Sequence, residues 1–415
     1  MLDFQKLSAQ YQQALLRQVV PFWLKHSLDV QCGGYFDGLT ATGGAIDGDK
    51  SVIVQAQQTW AFSWLYNTFD GQTAWLDHAR HGAMFLSQSA HDDQNQYYAQ
   101  LDRRGRPVAA SADFTPDAYI LMAYVQLFRA TAEDEWEMLA KQIFSSAHQR
   151  RGISLQAHAL SPEKYRQTRH LAEALAFLKA TMAMQPLLDE ESWKQATDAI
   201  VLEILQEFVD RRTDTLREYI LPDGGFLNTP EGRRLNVGLT FQAANYLLDL
   251  HTETDRAKHA GTGVVNRKVV SQVVAWCQQM CEQGWDETSA GLNQYIDFKG
   301  QPIVFPESQQ KWAWVHAEAL SALLKCYYHT NNADCLKWFK RIHDYTFQYF
   351  PDPKATGWHL VIDSQGQPLI MAKAIPTVGC YSLIRCLTET AKLLLSCEPL
   401  KATPQPGRSR ITLNS

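Results

Sequence analysis

The 415-residue chain has no run of lysine or arginine longer than a dipeptide, and its 39 basic residues stand against 44 acidic ones. The net charge of −5 gives no electrostatic footprint for nucleic acid or an anionic membrane, so neither partner is expected. No stretch of eighteen uncharged apolar residues occurs, which excludes a helical membrane span. No charged segment followed by an apolar one opens the chain, and a cytoplasmic protein is expected. The eight cysteines are scattered, mostly within helical patterns, and read as reduced thiols. Cys277 and Cys281 would share a helix face, but no second pair has zinc spacing, so no metal is expected. Asp92-Asp93 likewise lacks an acidic partner cluster. Neither a glycine-rich phosphate loop nor a Gly-x-Ser-x-Gly elbow appears.

What the chain does have is apolar content, 45% hydrophobic and 11% aromatic, enough for a large core. Apolar positions recur at helical spacing in about twelve segments, at roughly 3–29, 52–69, 72–90, 113–131, 133–149, 164–185, 189–211, 236–254, 266–283, 309–330, 332–349 and 377–397. Between them a phrase repeats: Leu101-Asp102 to Gly105 and Pro107, Ile296-Asp297 to Gly300 and Pro302, Ile362-Asp363 to Gly366 and Pro368. It predicts a tight hairpin in which Asp caps the turn, Gly takes positive φ, and Pro ends the return strand. Twelve helices with hairpins at alternate connections predict an all-α fold, an (α/α)6 barrel with short β-hairpins walling a pocket at one end. No linker-like stretch interrupts the pattern before about residue 399. The expectation is one domain over 1–398 and a flexible tail over 399–415.

Several segments then resemble the N-acylglucosamine 2-epimerase superfamily, which includes cellobiose 2-epimerases and mannose-type aldose–ketose isomerases. They are Phe22 to Asp29, Gly33-Gly34-Tyr35-Phe36, Gln55 to Tyr66, His170-Leu-Ala-Glu173, and Lys311-Trp312-Ala-Trp314-Val-His316-Ala-Glu318. The resemblance implies an (α/α)6 barrel holding a sugar, no organic cofactor, proton transfer beside a carbonyl, and a homodimer as a possible assembly. Such chemistry asks for two groups titrating near neutrality on opposite faces of C2, with donors for the developing oxyanion. The family's two histidines align with Leu239 and Ser382, its early arginine with Gln57, and the acidic partner of its first histidine with Gln242.

A pocket that keeps the family's other residues under these replacements has a changed complement of acids and bases. Glu318, with Trp314 four residues earlier on its face, is the expected acid, because an apolar surround would raise its pKa. His170 and Tyr381 are the other catalytic candidates. Gln57, Trp60, Asp117, Leu239, Gln242, Lys311, Trp314, His316, Ser382 and Arg385 are expected to bind substrate. Arg385 reads equally as a salt bridge between barrel helices, and Asp113 as a helix cap. Three functional readings stay open: an isomerase or epimerase with an altered acid–base set, a repurposed barrel enzyme acting on a less polar metabolite, and a non-catalytic small-molecule-binding protein.

Overall fold

The computed structural model describes residues 2–69, 71–160, 168–256 and 264–398, so the tail expected at 399–415 lies outside the described residues. The chain begins with α1 (Phe4–Ala14) and α2 (Val20–His26), joined by a π-helical turn at Leu15–Val19. It then alternates inner and outer helices. The pairs are α3 (Val52–Thr68) and α4 (Thr73–Ser89), α5 (Thr115–Thr131) and α6 (Asp134–Leu160), and α7 (Leu171–Ala183) and α8 (Glu190–Glu203). After the single turn α9 (Pro230–Arg233) come α10 (Val237–Arg256) and α11 (Arg267–Gly284), α12 (Ala313–Thr330) and α13 (Ala333–Tyr349), and finally α14 (Tyr381–Cys397). The inner ring runs α3, α5, α7, α10, α12, α14 and closes where α14 meets α3, while α1 covers α14 from outside. This is an (α/α)6 barrel.

Position in the ring explains the composition of each helix. Outer helices are amphipathic: α13 buries Cys335, Phe339, Ile342, His343, Tyr345 and Thr346 and leaves the opposite face to solvent. Inner helices are covered from both sides, so α5 is buried without a break from Pro116 to Leu127 and α12 from Val315 to Tyr327. Helical spacing of apolar residues therefore understates the burial of these two helices. All eight cysteines are free thiols, and Cys326 of α12 hydrogen-bonds both Cys277 of α11 and Cys335 of α13.

The repeated turn forms as its chemistry requires. The Asp102 carboxylate accepts from the backbone N–H of Arg104 and Arg106 at 2.8 and 2.9 Å, and Gly105 has φ +86°. Asp363 with Gly366 repeats this, and Asp297 with Gly300 does so more loosely. Proline is placed differently from the expectation. Pro107 opens the return strand Pro107–Ala110, at the sheet edge where its missing N–H costs nothing. Tyr295–Asp297 pairs not with the residues after its turn but with Arg234–Asn236, the strand that leads into α10.

Candidate functional site at the barrel mouth

Four inner helices are entered through a short strand: Lys50–Ser51 before α3, Arg169–His170 before α7, Arg234–Asn236 before α10, and Lys311–Trp312 before α12. The last residue of each strand is thus a helix cap held at the rim. His170 caps α7, its Nδ1 accepting from the Ala172 N–H at 3.2 Å. Asn236 Oδ1 accepts from the Leu239 N–H at 3.1 Å. This end carries the N-termini of the inner helices, whose partial positive charge favours developing negative charge.

A cavity of about 450 Å³ opens there. Its wall takes Gln57 from α3, His170 and Ala172 from the entry to α7, Asn236 and Leu239 from the entry to α10, Trp312 and Trp314 from the entry to α12, and Tyr381 and Ser382 from α14. The hairpin strands and loops add Gln294, Tyr295, Glu307, Leu360 and Thr377 to Gly379. Of the residues singled out in the sequence, His170, Tyr381, Gln57, Leu239, Trp314 and Ser382 meet at this cavity. Ring order places α7, which His170 caps, opposite α14, which begins at Tyr381.

The remaining candidates lie elsewhere. Glu318 is fully buried one turn deeper than Trp314, with both carboxylate oxygens on the Arg385 guanidinium and further bonds from Asn245 Nδ2 at 2.8 Å and Gln242 Nε2 at 3.3 Å. It is therefore an ion-pair partner beneath the cavity and not the isolated acid the sequence suggested. Gln242 and Arg385 belong to the same buried group. Asp117 points outward to Arg150 of α6 at 2.5 Å, where burial lifts its carboxyl to about 6 against the pull of the guanidinium. Lys311 binds Asp286 and Asn293. Trp60 stacks on Trp64 and meets the Tyr381 ring edge-on at 4.9 Å, supporting a wall residue from behind.

His316 is also structural. Its Nδ1–H donates to the Trp312 carbonyl at 2.8 Å, its Nε2 accepts from the Leu292 N–H at 2.9 Å, and its ring stacks on Tyr345. Burial drives its pKa down to about 3, and that of His78 equally far. Both folded-state values lie below the ordinary 6.5, so the stability these neutral rings contribute is complete above pH 6.5 and is lost as pH falls toward 3. Asp37, lifted by burial to about 7, titrates with the opposite sign. Replacing His316 by Gln should flatten the fall in unfolding free energy between pH 7 and pH 4, measured by urea denaturation; an unchanged slope would count against this assignment.

Glu218 is the residue the sequence did not flag. It is 3% exposed and gathers His170 Nε2 at 3.4 Å, Asn236 Nδ2 at 3.1 Å and Arg234 Nε at 2.6 Å. Burial pushes its pKa upward, but the His170 and Arg234 hydrogen bonds outweigh that and hold it below the ordinary carboxylate value. Glu218 therefore stays ionised beside His170, able to stabilise an imidazolium. On the other wall, the Tyr381 hydroxyl sits 3.2 Å from that of Tyr246, and burial raises its pKa well above the ordinary value. It is a proton donor rather than a base. Gln57 hydrogen-bonds Tyr119, whose ring abuts Tyr381.

A mixed polar and aromatic cavity at the mouth of an (α/α)6 barrel defines a small-molecule site. The profile of the N-acylglucosamine 2-epimerase (GlcNAc 2-epimerase) family matches residues 34–383, and the chain belongs to that family. It is 27% identical over 411 residues to the N-acylglucosamine 2-epimerase of Mus musculus, covering 94% of each chain. With the Homo sapiens enzyme of the same name it shares 28% over 393 residues, 91% of this chain and 88% of that one. In fold it is similar to the cellobiose 2-epimerase of Bacillus thermoamylovorans B4167, with a TM-score of 0.79 at 19% identity over 93% of this chain and 99% of that one. A D-mannose isomerase structure gives 0.76 at 15% identity, over 93% and 97%.

Proposed function

We propose that the barrel-mouth cavity binds a ring-opened sugar and that the protein moves a proton at C2, as a 2-epimerase or aldose–ketose isomerase with a non-standard acid–base pair. The observation that carries this reading is the imidazole of His170, held at the cavity wall by ionised Glu218, with Tyr381 on the helix opposite in the ring. His170 takes the C2 proton on Nδ1, releasing the Ala172 N–H that Nδ1 otherwise caps, while its Nε2–H stays on Glu218, which balances the imidazolium charge. The electron pair left on C2 delocalises onto the C1 oxygen as an enediolate, which the converging helix N-termini favour. Return of a proton from the Tyr381 side to C2 gives the epimer; return to C1, with transfer between the enediol oxygens, gives the ketose. Family membership supports the class of reaction. The polar wall of Gln57, Asn236, Gln294, Thr377 and Ser382 favours a sugar over a less polar metabolite, and the open volume favours a ligand site over a closed scaffold.

The test is deuterium incorporation at C2, followed by NMR in D2O with glucose, mannose, N-acetylglucosamine, N-acetylmannosamine and cellobiose. Incorporation into one of them is expected. A folded protein that exchanges none of them would overturn the reading.

A further inference from the structure

The charges around the cavity are unevenly paired. Arg234 is neutralised by Glu218, and Arg385, beneath the wall, by Glu318 and Glu389. Among the described residues no lysine or arginine lines the cavity itself. The one carboxylate in the lining is Glu307, half-buried on the 3₁₀ turn Pro306–Gln309 and without an ion-pair partner among the described residues. That turn is tied to the wall by the Gln294 N–H donating to the Ser308 carbonyl at 3.0 Å, which sets Glu307 beside the strand carrying Tyr295. The Glu307 carboxylate acts on the Tyr295 phenol, adding to the burial that raises its pKa. Trp312 and Trp314 give the same cavity two indole rings, while the face of Tyr295 is already covered by the Arg234 guanidinium at 4.2 Å.

An unpaired carboxylate sharing a cavity with indole rings is a cation-binding arrangement. A phosphate or carboxylate on the ligand would be desolvated here with no cation among the described lining residues to receive it. The helix N-termini carry only partial positive charge, enough to favour an enediolate but not to replace a full cation, and the caps at His170 and Asn236 already use N–H groups of α7 and α10. We propose that the sugar taken by this cavity carries a protonated amino group, seated on Glu307 against the Trp312 and Trp314 wall. This rests on the reading of the cavity as a sugar site and names the substrate class within it.

The probe is intrinsic tryptophan fluorescence, which Trp312 and Trp314 make sensitive to occupancy, titrated with glucosamine and with glucose. Glucosamine should bind about ten-fold more tightly than its neutral counterpart. The ratio should fall to about one in Glu307→Gln and persist in Glu307→Asp, which keeps the charge and controls for disturbance of the turn. Equal affinities in the wild type, or a preference that survives in Glu307→Gln, would overturn the amino-sugar assignment and leave the sugar reading standing. Binding of neither sugar by the folded protein would overturn both.

Discussion

Glu318→Gln should lose about 3–5 kcal/mol of unfolding free energy, because it removes one member of a buried, charge-balanced network. Glu318 binds Arg385, Arg385 binds Glu389, Glu389 binds Lys325, Lys325 binds Asp249, and Asp249 binds Lys179. Three anions and three cations alternate across α12, α14, α10 and α7. Burial opposes the ionisation of Glu389, but Lys325 and Arg385 hold its pKa far below the ordinary value. Glutamine preserves shape and can still accept from Asn245, so the loss isolates charge: three cations would face two anions in the barrel interior. Arg385→Gln should cost a similar amount with the opposite imbalance. The double variant restores neutrality and should be more stable than the sum of the single losses by about 1–3 kcal/mol. Denaturant unfolding of the four proteins tests this. Additive losses would mean the pair is not coupled, and a loss in Glu318→Gln below about 1 kcal/mol would place the carboxylate in solvent.

That network shows where sequence reading reaches and where it stops. Helical periodicity located all twelve barrel helices because each buries at least one continuous face, and the register of inner and outer helices follows from their alternation. The turn phrase around Asp102, Asp297 and Asp363 was legible because its hydrogen bonds are local. Pairing across the ring is not local. Glu318 and Arg385 lie 67 positions apart and on different helices, so nothing in the apolar pattern of α12 distinguishes a paired carboxylate from a lone acid. Glu218 was hidden for a related reason: it sits in the irregular segment between α8 and α10, and only the pairing of Arg169–His170 with Tyr219–Ile220 brings it to His170. His316 misled in the opposite sense. It sits in a family-like motif two residues from Glu318, yet α12 turns it outward onto Tyr345 and Phe350 of the outer layer. Tyr295 and Glu307 belong to stretches whose wall position is set by the strand leading into α10. The repeated turn was the signal that could have drawn attention to them.

His170→Asn should slow C2 exchange by about 10²–10⁴-fold, since asparagine fills part of the same space but cannot take a proton. Glu218→Gln tests the positioning role separately. It leaves the imidazole in place and withdraws the charge that balances its protonated form, so kcat should fall by more than KM changes, and Glu218→Asp should recover part of the loss. A merely structural Glu218 would instead lower stability and the amount of active protein while leaving the KM and kcat of the folded fraction together. Tyr381→Phe separates the two faces of the carbon. If His170 alone removes and returns the proton on its own side, this variant still exchanges C2 deuterium with retention while epimer or ketose formation falls by about 10²-fold. If exchange and product formation fall together, Tyr381 acts before the proton leaves, by donating to the carbonyl oxygen. If neither falls, the second proton donor is not Tyr381, and the hydroxyl of Ser382, next to it on the wall, is the group to replace next.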